Sequence, residues 1–352
     1  MKANRPDPQI FSARTMGAAK RSAMMPGHWH IALFLILAVR LSSCGSKEEE
    51  KPLDEVTVQL KWTHTAQFAG FYAAEQNGDY AAEGLEVKFV EGGRGVDPLA
   101  PVLSGAAQFG LANPNELMLA RAEGKPVRAI ATIFRRTPLV FFALAESGIT
   151  GPRDFVGKSI QVPGRARRLF RTLIANVGVS PDQLTELDSL GVEALYSGEV
   201  DVAVGFVTDQ VLVARQAGYQ INVIFPDDYG VHTYNDLIFT TDDFIHANPD
   251  LVTRFLRASL KGWTYAVENP TEIGKMVAMY DPDADPSQEA AKMEACLPLV
   301  HTGEDHIGWM KPEVWAGMEH TLRQQGILDG AVELDKVYTM EFLHQIYESQ
   351  EK

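Results

Sequence analysis

From Val56 onward, short β-prone runs alternate with stretches of helical period, and the pattern restarts midway along the chain. "VTVQL" (56–60) and "LEVKFV" (85–90) read as strands, and "DPLAPVLSG" as a short helix ending at Gly105. "AQFGLAN" (107–113) is a strand running into the helix "PNELMLARAEG", and "VRAIATIF" and "LVFFALAE" are β-rich. Such alternation predicts an α/β layer with largely parallel strands. After "SGITGPRDFVGK" the same grammar returns. "SIQVPG", "EVDVAVGF" and "INVIF" read as strands, and "RARRLFRTLIANVG" and "TDQVLVARQAG" as helices. Residues 146–237 therefore read as a second lobe, and 352 residues suffice for two. Beyond them lies mostly helix. The longest, "NPDLVTRFLRASLKGWTYAVENP", has Pro249 in its first turn and Leu251, Phe255, Leu256, Ser259, Trp263 and Val267 at helical period.

The first 43 residues do not read as globular. Lys2, Arg5, Arg14, Lys20 and Arg21 precede the apolar run "IALFLILAV" (31–39), and "LSSC", Leu41 to Cys44, follows. A basic start, a short apolar run and small residues before a cut site make an export signal. The run falls short of the ~20 apolar residues that span a bilayer. Leu-Ser-Ser-Cys resembles the bacterial lipobox, whose Cys becomes the lipid-bearing N-terminus. Cys44 is therefore expected to be lipidated and to anchor the chain to a membrane; a secretory signal followed by an unmodified Cys is the other reading. Arg40 departs from the usual junction, and Met16, Met24 and Met25 are alternative starts. Residues 44–52 are polar and charged and read as a tether. Cys296 is the one other thiol, and no Cys/His cluster has zinc spacing, so neither metal nor cofactor is expected. The net charge is −14, and residues 1–43 carry six Lys/Arg against one Asp, so the remaining chain is more acidic still. That argues against nucleic acid or anionic lipid as a partner.

Several stretches, in this order, resemble the substrate-binding lipoproteins of ABC importers in the NMT1/THI5-like family. They are "QLKW…AQFAGFYAAEQNGDYAAEGLEV", "GGRGVDPL", "GAAQFGLANPNELMLARAEGKPV", "LYSGEVDVAVGFVTDQ", "YGVHTYNDLIFTTDDFI", "NPDLVTRFLRASLKGWTYAVENP" and "GWMKPEVWAGM…LRQQGIL". Together they cover nearly everything from Val56 to about Leu328. The resemblance implies a type II periplasmic-binding-protein fold, in which two α/β lobes flank a cleft and the chain crosses between them twice. The crossings are expected near "FFALAESG" and "YNDLIFTTDD". Lobe 1 would then hold residues 53–145 plus 238–352, and lobe 2 residues 146–237. Relatives in the family bind a thiamine pyrimidine precursor, riboflavin or sulfonates. The implied protein is a monomer that hands its ligand to an ABC permease.

Ligands in such folds lie beyond strand ends, where helix N-termini point inward. The turn "KWTHTAQF" follows the first strand. Its Trp62 offers a flat face, and His64 and Gln67 offer hydrogen bonds; Phe71 reads as the inward face of the next helix. In "LANPNEL", Asn113, Asn115 and Glu116 are candidates, with Asn113 equally suited to capping the helix. "EGGRGVDP" carries Arg94, and its glycines suit a tight turn better than a phosphate cradle, because the P-loop Lys-Ser/Thr ending is missing. Gly164 and Arg165 at a helix start form a candidate anion site, whereas Arg167, Arg168 and Arg171 suit a solvated face. Thr208 and Asp209 lie at another strand-to-helix turn, where a carboxylate could read an amino-pyrimidine. Tyr229, Tyr234 and Asp236 border the second crossing, where the tyrosines could stack on a ring or pack the hinge.

The expected ligand is an aromatic nitrogen heterocycle, a thiamine pyrimidine first and riboflavin second. Two other functions remain open at this level. The family also contains pyrimidine synthases that use an iron centre and a Cys-rich motif, which this chain lacks. A lipoprotein feeding a membrane sensor would carry the same binding lobes.

Overall fold

The computed structural model describes residues 52–164, 166–188 and 191–350. The export signal, Cys44, most of the tether and Arg165 lie outside them. Ten strands form in chain order: β1 (Asp54–Gln59), β2 (Leu85–Val90), β3 (Phe109–Ala112), β4 (Val127–Phe134), β5 (Leu139–Leu144), β6 (Ser159–Gln161), β7 (Thr185–Leu187), β8 (Ala203–Phe206), β9 (Ile221–Ile224) and β10 (Asn235–Thr241). One sheet has the order β2-β1-β3-β10-β4, a second β8-β5-β9, and β6 pairs with β7. A bridge between Ile160 and Val202 joins the two smaller sheets. This is a two-lobed α/β fold.

Pairing is less parallel than the sequence pattern predicts. β1 runs parallel to β2 and β3, and β6 to β7, but β10 is antiparallel to both β3 and β4. Likewise β5 is antiparallel to β8 and β9. The exceptions share a cause. Both β5 and β10 are the strands on which the chain enters the opposite sheet, so no crossover helix has turned it back to the common direction. Because β5 already belongs to the second sheet, the first passage falls at residues 135–138 instead of near 145. The second passage, residues 225–234, ends where β10 begins.

In β1, Val56 and Val58 are buried while Glu55 is exposed, the period-two signature of a half-covered strand. β4 lies at a sheet edge yet is almost wholly buried. Bridges from Ala129 to Tyr338 and from Thr132 to Gly308 cover that edge with C-terminal segments. The helix Pro249–Glu268 buries Val252, Phe255, Leu256, Ser259, Trp263 and Ala266, a stripe rotated slightly from the expected one. It packs on the helix Ala69–Gln76, and Phe255 stacks on Phe109 of β3 with ring centroids 3.9 Å apart. No helix among the described residues is long and apolar enough to cross a membrane.

Candidate functional site

The carboxyl ends of β1, β2, β3 and β4 and the start of β10 open onto one cavity of about 690 Å3, which the end of β8 faces from the other sheet. Antiparallel β10 contributes its beginning because Asn235 is in register with Phe134, the last residue of β4. Of the residues singled out from the sequence, Trp62, Gln67, Arg94, Asn113, Glu116, Thr208 and Asp209 line this space. Trp62 stands 45% exposed, which leaves its ring open to the cavity. Arg94 sits on the glycine-rich loop with no ion pair among the described residues. Gly92 lets that loop press on the backbone behind Trp62, since a Cβ there would meet Leu60 O at 2.4 Å and Trp62 N at 2.7 Å. Asp209 occupies the N-cap position of the helix Gln210–Gln216, but its side chain makes no cap bond; it accepts from Gln210 Nε2 (2.6 Å).

Beneath the lining, Asp236 is 1% exposed and holds the floor together. Its carboxylate accepts two hydrogen bonds from Gln67 Nε2, each 2.9 Å, and pairs with the Lys61 ammonium. Lys61 also donates to Asn113 Oδ1 (2.7 Å) and to Asn235 Oδ1. Asp236 is the one described non-glycine residue at positive φ (55°), a strained backbone of the kind that clusters at functional sites.

Other expected residues are not part of the lining. The Nδ1 of His64 hydrogen-bonds the Tyr72 hydroxyl (2.7 Å), and its ring packs beside the stacked pair Tyr72 and Tyr280. Burial holds its pKa below the ordinary value, against the opposing pull of Glu91 and Asp281. The turn thus sends Trp62, Thr65 and Gln67 into the cavity and His64 away from it. Phe71 is buried against Trp263, as the helical period suggests. Tyr234 is buried edge-on to Trp315, and its hydroxyl accepts from Lys311 N (2.6 Å); burial pushes its pKa up to about 12. Tyr229 packs against the apolar core of the second lobe. Neither tyrosine forms the expected stacking box. Asn115 is exposed in the first turn of Pro114–Ala122, and Gly164 is an exposed turn outside the lining. Arg171 pairs with Glu186 (2.7 Å) and Arg167 with Asp188 (2.8 Å), in keeping with a solvated face.

The structure adds lining that the sequence reading passed over: Lys61, Thr65, Phe134, Phe206, Asn235, Lys292 and Cys296. Lys61, Thr65, Phe134, Phe206 and Asn235 lay inside stretches already quoted. Lys292 and Cys296 come from the distant helix Pro286–Val300, and their i, i+4 spacing was the available signal. On the same helix, buried Glu289 accepts from Thr65 Oγ1 (2.8 Å) and Ala66 N (2.7 Å), tying the first turn down. Burial, with Asp236 and Glu289 nearby, pushes the Cys296 thiol up, so it lines the floor as a neutral group. Among the described residues, no three His, Cys, Asp or Glu side chains converge as metal ligands. The cavity thus offers three aromatic faces (Trp62, Phe134 and Phe206), a fixed polar floor and a rim of mixed charge.

A riboflavin-binding protein RibY of Chloroflexus aurantiacus is 29% identical to this chain over 83% of it and 86% of that protein. A formylaminopyrimidine-binding protein of Halalkalibacterium halodurans is 27% identical over 84% and 96%. A 4-amino-5-hydroxymethyl-2-methylpyrimidine phosphate synthase of Legionella pneumophila is 23% identical over 82% and 92%. Among solved structures, the periplasmic sulfonate-binding protein SsuA of Methylobacillus flagellatus superposes with a TM-score of 0.63 at 16% identity, covering 86% of this chain and 96% of its own. That likeness establishes the fold of a two-lobed solute-binding protein. The family model described as NMT1/THI5 like matches residues 65–273, more than half of the chain, and the protein belongs to that family.

Proposed function

We propose that this protein is an extracytoplasmic solute-binding protein of an ABC importer, that its ligand is a flat nitrogen heterocycle, and that it passes this ligand to a membrane permease. The observation that carries the reading is the cavity between the sheets, walled by Trp62 and Phe134 from one side and Phe206 from the other. Its size bears on the ligand. Pockets of roughly 300–1,000 Å3 suit drug-sized molecules, and a lone pyrimidine ring would leave most of 690 Å3 to water. An isoalloxazine with its ribityl tail fills far more of it, so riboflavin is placed ahead of a thiamine pyrimidine. The relatives that bind riboflavin and formylaminopyrimidine support the same two choices. A synthase reading finds less support, since the synthase relative is 23% identical to this chain and the two binding proteins 29% and 27%.

Calorimetry on residues 45–352, titrated with riboflavin and with an aminopyrimidine, tests the reading. Saturable binding of riboflavin in preference to the pyrimidine is expected, and no binding of either would overturn it. Trp62→Ala should weaken riboflavin about 10-fold, because an aromatic stack contributes ~0.5–1.5 kcal/mol beyond the burial it brings. It should leave the melting temperature unchanged, since Trp62 is half exposed already.

The anchor belongs to the same proposal. Lipid on Cys44 would hold the protein at the extracytoplasmic face of the membrane, within reach of a permease. Metabolic labelling with a palmitate analogue should mark the wild type and spare Cys44→Ala. Two equally unlabelled, soluble proteins would exclude the lipid.

A further inference from the structure

The polarity of the cavity floor is fixed by the ion pair of Lys61 with buried Asp236. An ammonium has donors and no acceptor, so Asn113 and Asn235 must both turn Oδ1 toward Lys61. The main-chain N–H of Asp236 also donates to Asn235 Oδ1 (2.8 Å), which fixes that amide twice over. A carboxylate only accepts, so Gln67 must turn Nε2 toward Asp236. Each amide therefore has one end committed to the buried pair. What remains for the cavity is Nδ2 of Asn113, Nδ2 of Asn235 and Oε1 of Gln67, none of which has a partner among the described residues. With its three N–H donors all engaged, Lys61 is left with none for a ligand.

We infer that Lys61 is a positioning residue that makes the floor a set of two donors and one acceptor, selecting ligands with a cyclic imide edge. Such an edge, C=O, N–H, C=O, offers two acceptors around one donor and matches the floor in number and sign. An aminopyrimidine edge offers one ring acceptor beside an amino donor and leaves one floor donor unpaired. An unpaired buried donor is costly, and a site built to hydrogen-bond rejects ligands that leave it so. The exposed rim groups, Arg94, Glu116 and Asp209, discriminate less because water can satisfy them. The inference rests on the proposed heterocycle-binding function and assigns the part of the ligand that the floor reads.

The test compares riboflavin with N3-methylriboflavin, which keeps the ring, both carbonyls and the tail and replaces the imide N–H by N–CH3. Calorimetry on the wild type should show the methylated ligand about 10- to 100-fold weaker. Equal affinities would overturn the inference while leaving the binding function intact. If neither flavin nor an aminopyrimidine binds, the function and the inference fall together. The double variant Lys61→Met with Asp236→Asn removes both charges and frees the amides to rotate. Its ratio between the two flavins should fall toward one, a change that loss of packing alone would not produce. An unchanged ratio in the folded double variant would overturn the role of Lys61; should that variant not fold, the two ligands on the wild type still decide.

Discussion

Asp236→Ala should lower the stability of the protein by ~3–5 kcal/mol, the range for removing one member of a buried ion pair. The cost arises because the Lys61 ammonium, only 11% exposed, would stay behind without its counter-charge. Gln67 would lose its two hydrogen bonds at the same time. Urea denaturation of the two proteins measures this. A loss below ~1 kcal/mol, the scale of an exposed pair, would mean that Lys61 reaches water freely. Asp236→Asn separates charge from backbone, because Asn tolerates the left-handed conformation about as well as Asp. It should still cost most of the same amount.

The second large effect lies away from the cavity, where two helices approach closely. A Cβ at Gly262 would fall 2.1 Å from Gly70 O and 2.6 Å from Ala74 N. Both contacts are backbone, so no rotamer change relieves them. Gly262→Ala should destabilise by about 3 kcal/mol, the upper part of the usual range for overpacking. It should also weaken ligand binding, since the displaced helix Ala69–Gln76 directly follows the turn that carries Trp62 and Gln67. Gly317→Ala is the control. It sits within the helix Pro312–Gln324 with nothing within 4 Å of its would-be Cβ. There the substitution should stabilise by ~0.5–1 kcal/mol, as expected for removing glycine from a helix interior. Thermal melts of both variants check the opposite signs; equal losses would show that helix spacing is not the cause.

The sequence by itself determined the elements and their order. Val56 and Val58 alternate with exposed Glu55 and half-buried Thr57, and Phe255, Leu256, Ser259 and Trp263 recur at helical period, because local periodicity records which face is buried. It also marked the strand-to-helix turns that supply Trp62, Gln67, Asn113, Thr208 and Asp209, since turns at strand ends border the cleft in any such fold. The tertiary structure alone decided three things. Strand direction was one: β5 and β10 run against their neighbours because of where the chain changes sheets, which no local pattern encodes. The side on which an aromatic lands was another. His64 and Tyr234 sit in polar-aromatic company like that of Trp62, yet pack on Tyr72 and Trp315, contacts between residues distant in the chain or on opposite sides of one turn. The last was the floor, where Lys61, Asn113, Asn235 and Asp236 meet across as many as 174 residues of intervening sequence. A hydrogen-bond network closes only when the sheet register brings its members within 3 Å, and register is a property of the whole sheet.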